Sequence, residues 1–157
     1  MTTQRELTSA ARRLYKLLRA RDLKVVFAES CTGGLVAATL TRIPGISHYL
    51  CGSAVVYQVE TKAAWLGIPR KMLARADAVS SAVAKAMAEN VLKNTPQAHI
   101  AASITGHLGP DAPAPIDGQI FIGIASRHSS QLRGRRRRRP AAPSQLRSPA
   151  PRTGRKR

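Results

Sequence analysis

Acidic side chains are scarce in this chain, eight Asp and Glu against 26 Lys and Arg, and cysteines scarcer still, with only Cys31 and Cys51. Two isolated cysteines offer neither paired metal-ligand spacing nor the density of a secreted disulfide framework, so reduced thiols and no metal site are expected. Long apolar runs are missing too: none approaches the roughly 18 residues that cross a bilayer. Met1-Thr2-Thr3-Gln4-Arg5-Glu6 lacks the charged-then-apolar layout of a secretory leader. The expectation is a soluble, cytoplasmic protein with no membrane partner. What is present suffices for a core, since 43% of the 157 residues are hydrophobic, enough for one domain of ordinary size.

The formal charge of +18 suggests nucleic acid until it is divided along the chain. Residues 1–126 hold 14 of the Lys and Arg and all eight acids, which leaves +6 there and +12 in residues 127–157. That last stretch contains five consecutive arginines, Arg135 to Arg139, followed by Pro, Ala, Ser and Arg without periodicity. Such a composition cannot bury enough surface to offset chain entropy, so a disordered basic C-terminal tail is expected from 127 to 157. Polybasic blocks contact phosphate backbones without sequence preference, and no aromatic residue is interleaved here to read bases.

Before the tail, apolar residues at Leu7, Ala11, Leu14, Leu17 and Leu18 recur at steps of three and four, an amphipathic helix. Leu23 to Ala28 reads as a strand, and Glu29-Ser30-Cys31-Thr32-Gly33-Gly34 as a turn into a helical run from Leu35 to Leu40. Gly52 to Tyr57 predicts a second strand. Glu60 to Leu66 and Lys71 to Ala76 predict short helices, and Ser80 caps a longer one to about Asn94. Ala98 to Ile104 and Gln119 to Ala125 predict buried strands. Strands interleaved with helices point to a single α/β layered domain over residues 1–126.

Ser30, where a strand gives way to a helix, has its hydroxyl at the sheet edge and the first helical N–H groups aimed at whatever it would attack. Gly33 and Gly34 let a substrate approach the backbone, and the helix dipole would favour an oxyanion or a phosphate beside Thr32, Gly33 and Gly34. The same run serves equally if Ser30 or Thr32 only caps the helix. A nucleophilic serine needs a base. None of His48, His99, His107 and His128 sits in an obvious partnership, and only His107, in the Thr105-Gly106 loop, stays a candidate beside the plain reading of a structural or solvated histidine. The other choice is a desolvated lysine: Lys62 follows the second strand, with Tyr57 at that strand's end to relay a proton. A solvated Lys62 and a packed Tyr57 are the plain alternatives. Residues Ser103 to Asp111 offer hydroxyls and N–H groups to a phosphate or carboxamide, or form a simple turn.

Taken in order, Ala28-Glu29-Ser30-Cys31-Thr32-Gly33-Gly34, Gly52 to Tyr57 with Lys62, Ala78-Val79-Ser80, Thr105-Gly106 and Gly109-Pro110 resemble the nicotinamide-nucleotide amidohydrolase family, the CinA C-terminal domain, over about residues 5–126. The resemblance implies a mixed sheet flanked by helices. It also implies hydrolysis of the carboxamide of nicotinamide mononucleotide to nicotinate mononucleotide and ammonia, without metal or cofactor. Ser30 matches the family's nucleophile, Tyr57 and Lys62 the tyrosine and lysine that activate it, and Thr105, with Gly106 beside it, a threonine at the substrate site. The chain departs from the pattern at His107, Leu108 and Asp111 to Pro115, and it has the basic tail where the family continues with an ordered segment and a closing helix. A domain incomplete in this way would gain from burying its exposed face in a homo-oligomer. The rival reading is a folded but inactive domain that binds through its nucleotide pocket or its basic tail.

Overall fold

Thr3 opens the first helix, α1 (Gln4–Arg21), with a reciprocal cap: its hydroxyl accepts from the Glu6 N–H while the Glu6 carboxylate accepts from the Thr3 N–H. The computed structural model describes residues 3–75, 78–108 and 116–127. After α1 come β1 (Val25–Glu29), α2 (Leu35–Thr41), a single 3₁₀ turn at Ile46–His48, and β2 (Leu50–Val55). They are followed by α3 (Val59–Leu66), α4 (Arg70–Arg75), α5 (Ser81–Lys93), β3 (Ile100–Gly106) and β4 (Ile120–Ser126). Every helix and strand expected from the sequence is present. Gly109-Pro110, Asp111 to Pro115 and the tail from His128 lie outside the described residues.

The four strands form one mixed sheet in the order β2-β1-β3-β4, with β1 parallel to both neighbours and β4 antiparallel to β3. Central β1 is buried along its whole length, which is why it reads as a continuous apolar run instead of alternating. Val25 and Phe27 pack with Ala11, Leu18, Leu40 and Ile43 of the α1 and α2 layer. Val26 and Ala28 face the opposite layer, with Leu66, Leu73, Val83 and Met87 from α3, α4 and α5. The domain is therefore a three-layered α/β sandwich around β1.

Two strands differ from the sequence reading. β2 starts two residues earlier than Gly52 and ends at Val55, so Tyr57 lies beyond it. The reason is a bulge: Val25 pairs with Leu50 but Val26 with Gly52, which leaves Cys51 unpaired, and Gly52 takes φ 147°. A glycine that looked like the start of a strand is the irregularity inside one. β4 is not the buried strand its composition suggests. Gly123 and Ala125 lie against the α5 layer, but Ile120, Ile122 and Ile124 on the other face are 47%, 63% and 72% exposed, since α1 and α2 cover the β1 side of the sheet.

The contact of β4 with α5 is close. A Cβ on Gly123 would sit 2.2 Å from the Ala84 carbonyl oxygen, to which the Ser103 hydroxyl also donates at 2.6 Å. Arg127, the first residue of the basic segment, belongs to the fold: its guanidinium donates to the carbonyls of Ala98, Leu92 and Thr95 and ties the end of β4 to the C-terminus of α5.

Candidate active site

From β1 the chain moves to one side of the sheet to make β2, then crosses to the other side to make β3. The crevice outside the carboxyl ends of the strands at such a reversal is where open α/β sheets take ligands. Ser30 is at that point. Its N–H donates to Ile104 O at 3.0 Å, continuing the β1–β3 ladder by one residue. The alternation that sends Val26 and Ala28 toward α3–α5 therefore carries Ser30 to the same side. Thr105 is one step past Ile104, the partner of Glu29, so it stands beside Ser30 on that face. Lys62 is on α3, which packs from that same layer.

These three side chains share an unusual property for their types: Ser30 is 5%, Lys62 2% and Thr105 0% exposed. A buried lysine is rare unless it has a task or a partner. The influence of Lys62 reaches the Ser30 turn. Burial pushes the Cys31 thiol up from its ordinary value, and the nearby Lys62 charge, after a backbone hydrogen bond, pulls it partly back. Cys31 is thus held as the protonated thiol at neutral pH. Among the described residues the Thr105 hydroxyl is a buried side-chain oxygen with no hydrogen-bond partner, an exception that calls for a ligand or a reason.

The remaining residues singled out from the sequence fall into place less simply. Tyr57 sits two residues past β2 and is 68% exposed. Thr32 directs its hydroxyl to Glu29 Oε2 at 2.8 Å. Gly33, at φ 58°, donates its N–H to Ser30 O, and Gly34, at φ 101°, is the N-cap of α2 without any side-chain cap. Both φ values are ones that side chains avoid. Gly106 has a packing reason, since a Cβ there would come within 2.8 Å of Gln119 O and of Ile120. His107 extends the β3–β4 hairpin through its backbone, bonding Gln119 and Gly118. His99 accepts the Lys24 N–H on its Nδ1 at 2.8 Å, a structural contact.

Neither Ser30 nor Thr32 caps α2. That task belongs to Glu29, which sequence reasoning passed over. Its carboxylate, 1% exposed, accepts from Val36 N at 2.9 Å and Ala37 N at 3.0 Å, and also from the hydroxyls of Thr32 and of Ser53 on β2. One signal could have found it: α2 has glycine at its N-cap and no acid in its first turn, so its orphan N–H groups need an acceptor from elsewhere. The amides of Val36, Ala37, Gly33 and Leu35 are all engaged. Those of Thr32 and Gly34 meet no acceptor among the described residues. No group of three His, Cys, Asp or Glu that could hold a metal ion occurs among the described residues, and no helix there is long and apolar enough to cross a membrane.

A model of the CinA C-terminal domain matches residues 7–147. The chain is 40% identical over 121 residues to a CinA-like protein of Geobacter metallireducens, covering 76% of this chain and 29% of that protein. It is 42% identical over 123 residues to a putative competence-damage inducible protein of Lacticaseibacillus casei, covering 76% of this chain and 29% of that one. The chain thus spans under a third of the length of these curated relatives. Among solved structures, competence/damage inducible protein CihA from Agrobacterium tumefaciens superimposes with a TM-score of 0.74 at 32% identity, over 81% of this chain and 76% of that one. A competence-damaged protein (CinA) superfamily member from Escherichia coli gives 0.64 at 27% identity, over 83% and 81%.

Proposed function

The chain belongs to the CinA C-terminal domain family, and from that premise we propose that it is a serine amidohydrolase that removes the carboxamide nitrogen of nicotinamide mononucleotide as ammonia. The observation that carries the reading is the buried trio on one face of the switch point: Ser30, Lys62 and Thr105, each at most 5% exposed. A buried serine, a buried lysine on the layer it faces and an unsatisfied hydroxyl suit nucleophilic catalysis better than they suit a packed core.

In the proposed reaction Lys62, in its neutral form, takes the Ser30 proton as Oγ adds to the carboxamide carbon. The carbonyl oxygen becomes an oxyanion beside the uncommitted N–H groups of Thr32 and Gly34. Collapse of the tetrahedral species breaks the C–N bond, the proton held on Lys62 passes to the leaving nitrogen, and ammonia departs. Water then attacks the acyl-serine, giving its proton to Lys62, and the nicotinate product leaves with Ser30 restored. The Thr105 hydroxyl supplies a hydrogen bond to the substrate. Tyr57, exposed just past β2, assists Lys62 in activating Ser30.

Ammonia release from nicotinamide mononucleotide by the wild-type chain and by Ser30→Ala tests the proposal. Loss of at least about 10³-fold in kcat is expected for removal of the nucleophile. Activity that survives the substitution removes Ser30 from the mechanism.

A further inference from the structure

We propose that Glu29 is the positioning residue of this site, and that its carboxylate holds the Ser30 turn in its reactive shape from behind. The inference rests on the reading of Ser30 as nucleophile. Each Glu29 oxygen takes two donors: Oε1 accepts from Ala37 N and from Ser53 Oγ at 2.9 Å, and Oε2 from Val36 N and from Thr32 Oγ1 at 2.8 Å. A carboxylate has about four lone-pair sites, so this one is full. Four hydrogen bonds hold this buried carboxyl group in place.

The four donors come from three places: the turn itself, the first turn of α2, and the neighbouring strand β2. They enclose Ser30. The backbone leaves Glu29, passes through Ser30 and Cys31, and is fastened back onto Glu29 at Thr32, three residues on. On the other side of the same carboxylate, β2 is fixed by Ser53 and also by Val56 N, which donates to Glu29 O at 2.8 Å. Glu29 therefore sets the placement of Oγ of Ser30 against the strand ends. It also engages the Val36 and Ala37 amides, which leaves oxyanion donation to the N–H groups of the turn itself. A glycine N-cap at φ 101° supplies no side chain of its own for this purpose. Glu29 points to the α1–α2 layer while Ser30 faces α3–α5, so the carboxylate acts through the turn and never touches substrate.

The test is the rate at which a fluorophosphonate probe labels Ser30 in the full chain, forming the P–O bond to Oγ with release of fluoride. Glu29→Gln keeps shape but turns one acceptor oxygen into a donor that faces two donors. The labelling rate constant and kcat are each expected to fall about 10- to 100-fold, the scale of a misplaced reacting atom, while KM moves less than kcat and circular dichroism stays native. A role confined to folding would lower the fraction of chain labelled and leave the rate constant of the folded remainder unchanged, and that result would overturn the inference. If Glu29→Gln does not fold, the comparison passes to Thr32→Val and Ser53→Ala, each removing one donor. Thr32→Val, inside the turn, is expected to slow labelling more than Ser53→Ala; equal rates in both and in the wild type would overturn the inference alone. Wild-type chain that takes no probe at Ser30 would overturn the nucleophile reading itself and this inference with it.

Discussion

Thr105→Val separates the cost of the site from its use. The Thr105 side chain is 0% exposed and its Oγ1 has no hydrogen-bond partner. A buried hydroxyl left unsatisfied costs about 1–3 kcal/mol, and valine replaces it with a methyl group of the same shape. The substitution should therefore stabilise the ligand-free chain by about 1 kcal/mol, which for a domain of this size raises Tm by about 3–5 °C. The same change should impair function, because a substrate group that would have met the hydroxyl loses one hydrogen bond, about 0.5–1.5 kcal/mol, or about 2- to 12-fold in KM. Differential scanning calorimetry and ammonia-release kinetics on one preparation read both quantities. A fall in Tm of several degrees would refute the reasoning, since it would mean that the hydroxyl is already paired. A rise in Tm with unchanged kinetics would keep the orphaned hydroxyl but remove Thr105 from substrate binding.

Two further substitutions or reactions probe the frame around the site. Gly123→Ala places a methyl group 2.2 Å from Ala84 O, so α5 must move off β4 and break the Ser103–Ala84 hydrogen bond, at a cost of about 3 kcal/mol or more; urea unfolding should show the midpoint drop with an unchanged m-value. Cys31 and Cys51 both have thiols raised by burial, so the reactive thiolate is scarce at neutral pH and increases only as pH climbs beyond the ordinary thiol range. Iodoacetamide labelling should accordingly be slower than that of a free thiol at pH 8 and accelerate above pH 9, and rapid alkylation of Cys31 at pH 7 would contradict its placement.

How much of this was legible in the sequence depends on whether the information was local. Periodicity found α1 because it presents one apolar stripe, and β1 stood out because both of its faces are covered. β4 misled for the same reason inverted: an apolar run of seven residues looks buried, yet Ile120, Ile122 and Ile124 face away from α5, and nothing in the run itself says that α1 and α2 stop short of them. The bulge at Cys51 was invisible because a glycine at a strand's start and a glycine inside a bulge have the same neighbours.

The run from Glu29 to Gly34 shows where local reading ends. Its strand-turn-helix grammar was plain, and it allowed two accounts of Ser30, helix cap or nucleophile. The cap account fails in the structure because α2 is capped from one residue earlier, by a carboxylate whose other partners, Val36, Ala37 and Ser53, are 7, 8 and 24 residues away. Such a contact is set by the packing of α2 and β2 on β1 and leaves no spacing to recognise. Once Glu29 takes the capping role, the hydroxyl of Ser30 is released from it, and in the proposed mechanism the buried Lys62 has a chemical partner to serve. The acid next to the serine matters, on this view, because it answers the backbone of α2 and so frees its neighbour for chemistry.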